Sequence, residues 1–201
     1  KLGEADWMGM PVPEEYGGAG TDYVTYAMAV EELSRSCAGT GFTVSVHVGL
    51  ACMLILQFGT EEQKQKYLPG AIAGELLLAI AMTEPGTGSD VAGVQTAATP
   101  TPDGGWVLHG TKRFITAAGR SDYVQLMALT DPEKRARGGI SAFLVPRGTP
   151  GFTVTRIDQT IGSDVVRLGE LTFEDCIVPD DALLGAEGDG FRIAMSSLVN
   201  G

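Results

Sequence analysis

Cysteine and histidine are scarce in this chain. Its 201 residues include two histidines and three cysteines, Cys37, Cys52 and Cys176. The cysteines lack the close spacing of metal ligands, so the sequence predicts no metal site. An odd number of cysteines without a disulfide pattern is typical of a reducing compartment, and we expect buried structural thiols in a cytoplasmic protein. The chain begins at Lys1 rather than at Met, which leaves an organellar targeting peptide as an open alternative.

Basic residues are outnumbered by acidic ones. Fourteen Lys and Arg residues oppose 25 Asp and Glu residues, and the formal net charge is −11 at pH 7. This charge argues against a nucleic-acid-binding surface. Most of the basic residues follow residue 110, where they could contact an anionic ligand, although an ordinary solvated surface explains the same distribution.

Long apolar runs and the common phosphate-binding loops are also missing. No apolar run reaches the roughly 20 residues of a membrane-spanning helix, and no signal peptide is visible, so we expect no membrane span. The sequence contains no G-x-x-x-x-G-K-[ST] loop and no G-x-G-x-x-G turn between a strand and a helix, which excludes the usual nucleotide-binding motifs.

The first third of the sequence has helical patterns. In "TDYVTYAMAVEELSRS", Tyr26, Val30 and Leu33 recur at helical spacing, and Asp22 is a suitable N-cap. Residues 42–58 alternate like a strand at first but are then apolar on every side. Their length favours a buried helix over a strand.

A third helix is predicted after residue 59. "TEEQ", residues 60–63, is a capping box, and we expect the helix that it opens to end before Pro69. His47, on the preceding apolar run, is more typical of a core histidine satisfied by a neighbour than of a catalytic one.

Short extended segments dominate after Gly74. Residues 102–105, Pro-Asp-Gly-Gly, indicate a hairpin turn, and four further β-branched or aromatic segments are bounded by Gly or Pro. "GDGFRIAMSSLVNG" is helical again. The order predicts an α+β fold, in which an N-terminal helical segment is followed by an antiparallel β-barrel or sandwich domain and the start of a C-terminal helical bundle. The predicted domains are residues 1–75, 76–182 and 183–201.

"AMTEPGTGSD", residues 81–90, lies at the junction between the helical and extended parts. The segment contains two glycines, a proline, hydroxyl side chains and carboxylates. It contains no lysine that could bind a phosphate. Domain junctions are preferred ligand sites. A glycine-rich linker in which Thr83 and Ser89 make local turns explains the composition equally well.

A second segment, "GTKRFITAAG" at residues 110–119, favours the ligand site. Together the two segments resemble the acyl-CoA dehydrogenase family, in which a "TEPGAGSD" turn and a "K-x-[WF]-I-[TS]" strand hold the flavin ring of FAD. Four further stretches resemble landmarks of that family in the same order: "PEEYGGAG", "FGTEEQKQKYLPG", "GELTFEDCIVP" and "GAEGDGFRIAM". The resemblance covers nearly the whole chain.

The resemblance implies non-covalent FAD binding along residues 80–89 and 114–116. Thr116 would offer its hydroxyl to flavin N5, and Met82 and Thr83 would contact the pyrimidine end of the ring. Gly88 and Ser89 would approach the phosphate–ribityl side or the CoA ligand, and Ser89 is also assigned to the substrate. The implied cofactor-binding residues are Ile80, Ala81, Met82, Thr83, Gly88, Ser89, Phe114, Ile115 and Thr116.

The implied reaction is FAD-dependent dehydrogenation of an acyl-CoA thioester to the trans-2-enoyl-CoA, with electrons passed to an electron-transfer flavoprotein. Glu84 is a tempting general base, but the family's Glu-Pro pair shapes the turn. We expect the base beyond Gly201, no catalytic residue within the chain, and no activity from this fragment alone. Full-length members are expected to form dimers or tetramers. An oxygen-using flavoenzyme of the same fold, either an oxidase or a reduced-flavin monooxygenase, and a non-catalytic truncated chain are the alternatives.

Overall fold

A computed structural model describes residues 1–162 and 164–200 of the chain. Helices come first and a sheet follows, with one helix at the end. The helices are α1 (Tyr23–Ser36), α2 (Ala38–Val44), α3 (Met53–Phe58), α4 (Glu61–Ile72) and α5 (Gly190–Asn200), and a π-helical segment, Ser45–Cys52, joins α2 to α3. The strands are β1 (Leu78–Ala81), β2 (Ala97–Pro100), β3 (Trp106–Ile115), β4 (Tyr123–Leu129), β5 (Ile140–Pro146), β6 (Phe152–Ile157), β7 (Gly169–Val178) and β8 (Leu183–Leu184).

Helix α1 begins and packs as its sequence predicts. The Asp22 carboxylate accepts a hydrogen bond from the Thr25 N–H at 2.9 Å, which satisfies a donor that the first turn leaves free. Tyr26 is buried, and Val30 and Leu33 pack against the same small apolar cluster. The predicted N-cap and the predicted apolar face are both confirmed.

The apolar run after Cys37 is helical, as predicted, but it contains a π-helical segment that the sequence pattern did not indicate. By length and composition, Ala38–Phe58 is apolar enough to cross a membrane, so the expectation that no run reaches this length is wrong. In the structure, 61% of the most apolar 18-residue stretch of this helix is buried inside the protein. Ala51, Cys52 and Leu54 are wholly buried against the sheet.

His47 lies in the π-helical segment and is wholly buried. Its Nδ1 accepts a hydrogen bond from the Leu78 N–H at 3.0 Å, and its Nε2 lies 3.1 Å from the Ala71 carbonyl oxygen. This arrangement requires the neutral ring protonated at Nε2. The imidazole joins the π-helical segment to β1 and to the end of α4, which confirms the predicted core histidine.

Helix α4 has the predicted start but a different end. Thr60 and Gln63 form the reciprocal hydrogen bonds of a capping box. The expected end before Pro69 is wrong, because the helix continues to Ile72. The proline lies in the last turns, where it removes one internal hydrogen bond, while its carbonyl still accepts the Ala73 N–H at 3.0 Å. Burial of the C-terminal half of the helix in the main core offsets that loss.

The strands form one open, mixed sheet rather than a closed antiparallel barrel. Their order is β6-β7-β3-β2-β4-β5-β8, and β1 pairs with β4. The hairpin of β2 and β3 is antiparallel as predicted. However, β1 and β2 both pair with β4 in parallel, in succession along one edge of that strand. The terminal strands β6 and β8 are not joined, so the barrel is not confirmed; of the expected C-terminal bundle, the structure describes only α5.

Alternation along the strands creates two apolar cores, one on each face of the sheet. Leu78 and Ile80 of β1 face the helices, where they join the core that contains α3, α4 and α5. Ala79 and Ala81 face the opposite side, where they join the core of β3, β5 and β7. Successive side chains of a strand point to opposite faces of the sheet. Alternate residues of a strand therefore enter different cores.

The thiols are not all buried. Cys52 and Cys176 are buried, as expected, but Cys37 is exposed, so the expectation of three buried thiols is wrong. Cys37 occupies the junction between α1 and α2 in an extended conformation, and that junction lies at the surface of the helical layer. All three thiols are free.

The buried His47 predicts that stability falls in mild acid. Burial lowers its pKa below the ordinary value of 6.5, so the unfolded state binds more protons than the folded state as the pH falls below 6.5. The free energy of unfolding should therefore decrease there, by at most about 1.4 kcal/mol per pH unit from this group. Chemical denaturation between pH 7.5 and 5 measures the slope.

Two matched variants isolate the contribution of this ring. His47→Asn should be less stable at pH 7.5 and should show a smaller loss of stability towards pH 5 than the unsubstituted protein. His109→Asn, at an exposed histidine, should keep the original slope. If both variants keep the original slope, His47 does not cause the pH dependence.

Candidate functional site

A cavity of about 250 Å³ lies between the helical layer and one end of the sheet. Three segments that are distant in sequence enclose it: the end of β1, the end of β3, and the helix that contains the π-helical segment. Its lining residues are Phe42, Ser45, Val46, Leu50, Ile80, Met82, Thr83, Phe114, Ile115 and Thr116. The lining is largely apolar and carries three hydroxyl groups.

The first wall is the segment where β1 ends. Ile80 is buried. It lines the cavity together with Met82 and Thr83. Ala81 was predicted for the same site, but its side chain points to the opposite core, as the alternation of the strand requires. It can reach the cavity only through its backbone.

The second wall is the end of β3. The pairing of β3 with β7 is irregular between Lys112 and Ile115. Within this bulge Phe114 adopts a left-handed conformation with φ of 57° and is 55% exposed. The Arg113 guanidinium lies 4.8 Å from the centre of its ring. Bulges that redirect a side chain are common beside active sites. Thr116, predicted as a strand residue, lies just after the strand, because β3 ends at Ile115.

The third wall comes from the long apolar helix. Phe42 belongs to α2, and Ser45, Val46 and Leu50 belong to the π-helical segment. π-helical turns are frequent at functional sites because they change which side chains one face of a helix presents. The sequence pattern indicated burial but did not indicate that this helix faces the two motifs.

Glu84 is engaged in structure and does not line the cavity. Its backbone pairs with that of Thr87 in an isolated antiparallel β-bridge. Its carboxylate accepts hydrogen bonds from the N–H groups of Gln95 at 2.8 Å and Thr96 at 2.9 Å. It also contacts the Lys112 ammonium at 2.8 Å. Burial alone would raise the pKa of Glu84, but the charge of Lys112 and these hydrogen bonds outweigh it and keep the pKa below its usual value. A carboxylate held ionised by three donors supports the assignment of Glu84 to the turn rather than to proton transfer.

Lys112 lies behind the cavity wall, in contact with Met82 and Glu84, and the sequence reasoning missed it. Its side chain is wholly buried, although lysine is rarely buried without a partner. The ammonium donates to the Met82 carbonyl at 3.0 Å as well as to Glu84. Burial lowers the pKa of Lys112 to about 8, against the opposing effect of Glu84. The signal was present in the sequence, since this lysine and Glu84 occur in the two motifs that were singled out.

Gly88 and Ser89 lie outside the cavity. Both are exposed in the turn that follows the Glu84–Thr87 bridge, and neither lines the cavity. The structure therefore brings together six of the nine predicted residues: Ile80, Met82, Thr83, Phe114, Ile115 and Thr116. The roles of all nine remain predictions.

The cavity fits part of a flat aromatic ligand better than it fits a metal ion. Its aliphatic and aromatic walls could cover the faces of a ring system, and the hydroxyls of Ser45, Thr83 and Thr116 could meet polar atoms at the edge of the ring. In residues 1–162 and 164–200, no group of three or more His, Cys, Asp or Glu side chains is placed to hold a metal ion.

The fold and the cavity define an α+β protein with a candidate ligand site at the junction of a helical layer and a sheet. Two family descriptions match the chain: acyl-CoA dehydrogenase, N-terminal domain, over residues 1–75, and acyl-CoA dehydrogenase, middle domain, over residues 79–176. The chain belongs to the acyl-CoA dehydrogenase family.

Curated relatives are similar over almost the whole chain. An acyl-CoA dehydrogenase of Bacillus subtilis is 46% identical over 198 residues, which are 98% of this chain and 52% of that protein. A short-chain specific acyl-CoA dehydrogenase of Clostridium acetobutylicum is 44% identical over 201 residues, which are 100% of this chain and 52% of that protein. The chain spans about half the length of these relatives.

Solved structures share the fold. A chain in a structure of the electron-transferring flavoprotein of Acidaminococcus fermentans has a TM-score of 0.95 and 45% identity, over 99% of this chain and 52% of that one. Butyryl-CoA dehydrogenase from Megasphaera elsdenii has a TM-score of 0.94 and 42% identity, over 98% and 52%. An FAD-dependent dehydrogenase has a TM-score of 0.93 and 34% identity, over 99% and 54%. FAD is the cofactor of this family.

The conformation of Phe114 predicts an unusual order of stabilities. A residue with a Cβ atom is strained at a left-handed position, whereas glycine is not. Phe114→Gly should therefore be more stable than Phe114→Ala by about 1 kcal/mol. Denaturant unfolding of the two variants measures this difference.

Ile177, an exposed residue of β7, is the matched control. Its backbone is not left-handed, so Ile177→Gly should be less stable than Ile177→Ala by about 0.5–1 kcal/mol. An alanine variant at position 114 that is as stable as the glycine variant would show that this backbone is not strained.

Proposed function

We propose that this chain forms the flavin-facing half of an enzyme that dehydrogenates acyl-CoA thioesters to trans-2-enoyl-CoA products with FAD as cofactor. The observation that carries the proposal is the cavity at which the ends of β1 and β3 converge. The names of the relatives support a short-chain acyl group, including butyryl.

The residues of the cavity would hold and orient the flavin ring. Met82 and Phe114 would cover its apolar surface, and the hydroxyls of Thr83 and Thr116 would donate to atoms at its polar edge, with that of Thr116 at N5. FAD, when bound, would accept the hydride equivalent that leaves the acyl chain. Donors that are already in place before the reaction stabilise the charge that develops in the ring. We assign Gly88 and Ser89 to the outer part of the ligands.

We propose that the general base and the remaining contacts to FAD come from a C-terminal helical domain, for two reasons. The relatives are about twice as long as this chain, and Glu84 is already occupied by three donors. The complete polypeptide would assemble as a dimer or tetramer. The electrons taken from the substrate would pass to an electron-transfer flavoprotein. The support for this acceptor is that a chain in a structure of such a flavoprotein has the same fold as this chain.

The proposal predicts that the complete polypeptide binds FAD and loses its yellow colour when butyryl-CoA is added. Anaerobic titration followed by absorbance measures this bleaching. Adding air or an electron-transfer flavoprotein then identifies the acceptor: slow reoxidation by oxygen and fast reoxidation by the flavoprotein are expected. A folded protein that does not bind FAD contradicts the proposed function, and fast reoxidation by oxygen favours an oxidase.

Thr116 provides a quantitative test. Thr116→Val keeps the β-branched shape but removes the hydroxyl. Loss of one donor at a developing charge costs about 2–4 kcal/mol, so flavin reduction should slow by about 10²–10³-fold. Rapid-mixing absorbance measures this rate. Thr153→Val, an exposed substitution on β6, should leave the rate unchanged. An unchanged rate in the Thr116 variant would mean that its hydroxyl has no part in the reaction.

A further inference from the structure

Lys112 has a buried charge but does not line the cavity. Its side chain is wholly buried, and its Nζ atom lies 3.0 Å from the Met82 carbonyl oxygen and 2.8 Å from Glu84 Oε1. Burying an ammonium is costly unless it is paired and hydrogen-bonded. The contacts that compensate for this burial all involve the segment where β1 ends, which forms the first wall of the cavity.

Glu84 is itself anchored by the backbone just before β2. The N–H of Gln95 donates to its Oε2, and the N–H of Thr96 donates to its Oε1. Thr96 directly precedes β2, which pairs with both β3 and β4. The carboxylate therefore has a fixed position relative to the sheet, and it gives the Lys112 ammonium a fixed position in turn.

Within the described residues, the ammonium provides one of two hydrogen-bonded links between the first and second walls. The other is the Arg113 N–H, which donates to the Thr83 carbonyl at 2.8 Å. The carbonyl groups of Met82 and Thr83 are thus both bonded to β3. Because both carbonyls are held, the peptide planes on either side of Thr83 have a single orientation relative to Phe114 and Ile115.

We propose that Lys112, anchored by Glu84, is a positioning residue that sets the spacing and orientation of the two flavin-binding walls. The inference rests on the proposed function and goes beyond it, because neither Lys112 nor Glu84 is assigned a contact with FAD or substrate. A buried ion pair is weak support for stability, since apolar replacement of both partners is often neutral or stabilising. What this pair provides here is a fixed geometry between two segments that are distant in sequence, the end of β1 and the end of β3.

The test separates position from stability with a single and a double variant of the complete polypeptide. Lys112→Met leaves the Glu84 carboxylate buried without its cation, so it should lower the melting temperature. The double variant Lys112→Met, Glu84→Gln removes both charges and should recover part of that loss, because the side-chain oxygen that remains at position 84 can accept from one of the two backbone N–H groups. Lys134→Met, at an exposed lysine, is the matched control. For each protein, the melting temperature, the dissociation constant for FAD and the absorption spectrum of bound FAD are measured.

Recovery of stability without recovery of binding is the expected result. Both the single and the double variant should bind FAD at least 10-fold more weakly than the unsubstituted protein and show shifted flavin absorption bands. The control should match the unsubstituted protein in all three measurements. If the double variant recovers affinity and spectrum together with stability, or if Lys112→Met binds FAD with unchanged affinity and spectrum, the positioning role is wrong.

The unsubstituted protein distinguishes failure of this inference from failure of the proposed function. If it binds FAD and is bleached by butyryl-CoA, the variants test Lys112 alone. If it is folded and does not bind FAD, the proposed function fails, and the positioning role fails with it. A single variant that does not fold leaves the double variant to decide, because that variant contains no unpaired buried charge.

Discussion

The packing of the long apolar helix, residues 38–58, against one face of the sheet determines most of the structure. The helix is apolar on nearly all sides, so it must be covered on nearly all sides. Strand β1 and helices α1, α4 and α5 provide that cover within the described chain. His47 extends this packing with two buried hydrogen bonds. The cavity exists because the helix does not cover the sheet completely: near Phe42 and Leu50 it leaves a gap beside the ends of β1 and β3.

The polar interior at that gap follows a different principle. Apolar packing is tolerant of small shifts, whereas a buried ammonium with two acceptors has few acceptable positions. Lys112 and Glu84 therefore provide geometric precision where the two walls meet. The pair also explains why Glu84 is a poor candidate for a general base. Its lone pairs accept from three donors, and a base needs a free lone pair directed at the substrate.

Several parts of the fold could be predicted because their causes are local. Helices α1 and α4 each start at a capping side chain, that of Asp22 or Thr60, which accepts a hydrogen bond from the backbone N–H three residues later. The Pro-Asp-Gly-Gly turn explains the hairpin of β2 and β3. The predictions that were wrong depend on distant contacts. Whether a helix continues past Pro69, and whether a sheet closes, depends on what packs against the helix and which edges meet. Neither property has a local signal.

The sequence by itself determined the family, the order of helices and strands, and the two motifs that contribute to the candidate site. Short-range periodicity, caps and turns are properties of neighbouring residues, and six motifs in order identify a family. Only the tertiary structure decided which side of each motif faces the cavity. Ile80 lines it while Ala81 faces the opposite core, since a strand alternates and only the packing of the sheet selects the face. In the same way, the β3 bulge exposes Phe114, while the register of β3 directs Lys112 into the interior. Both the bulge and the buried charge depend on partners that are distant in the chain.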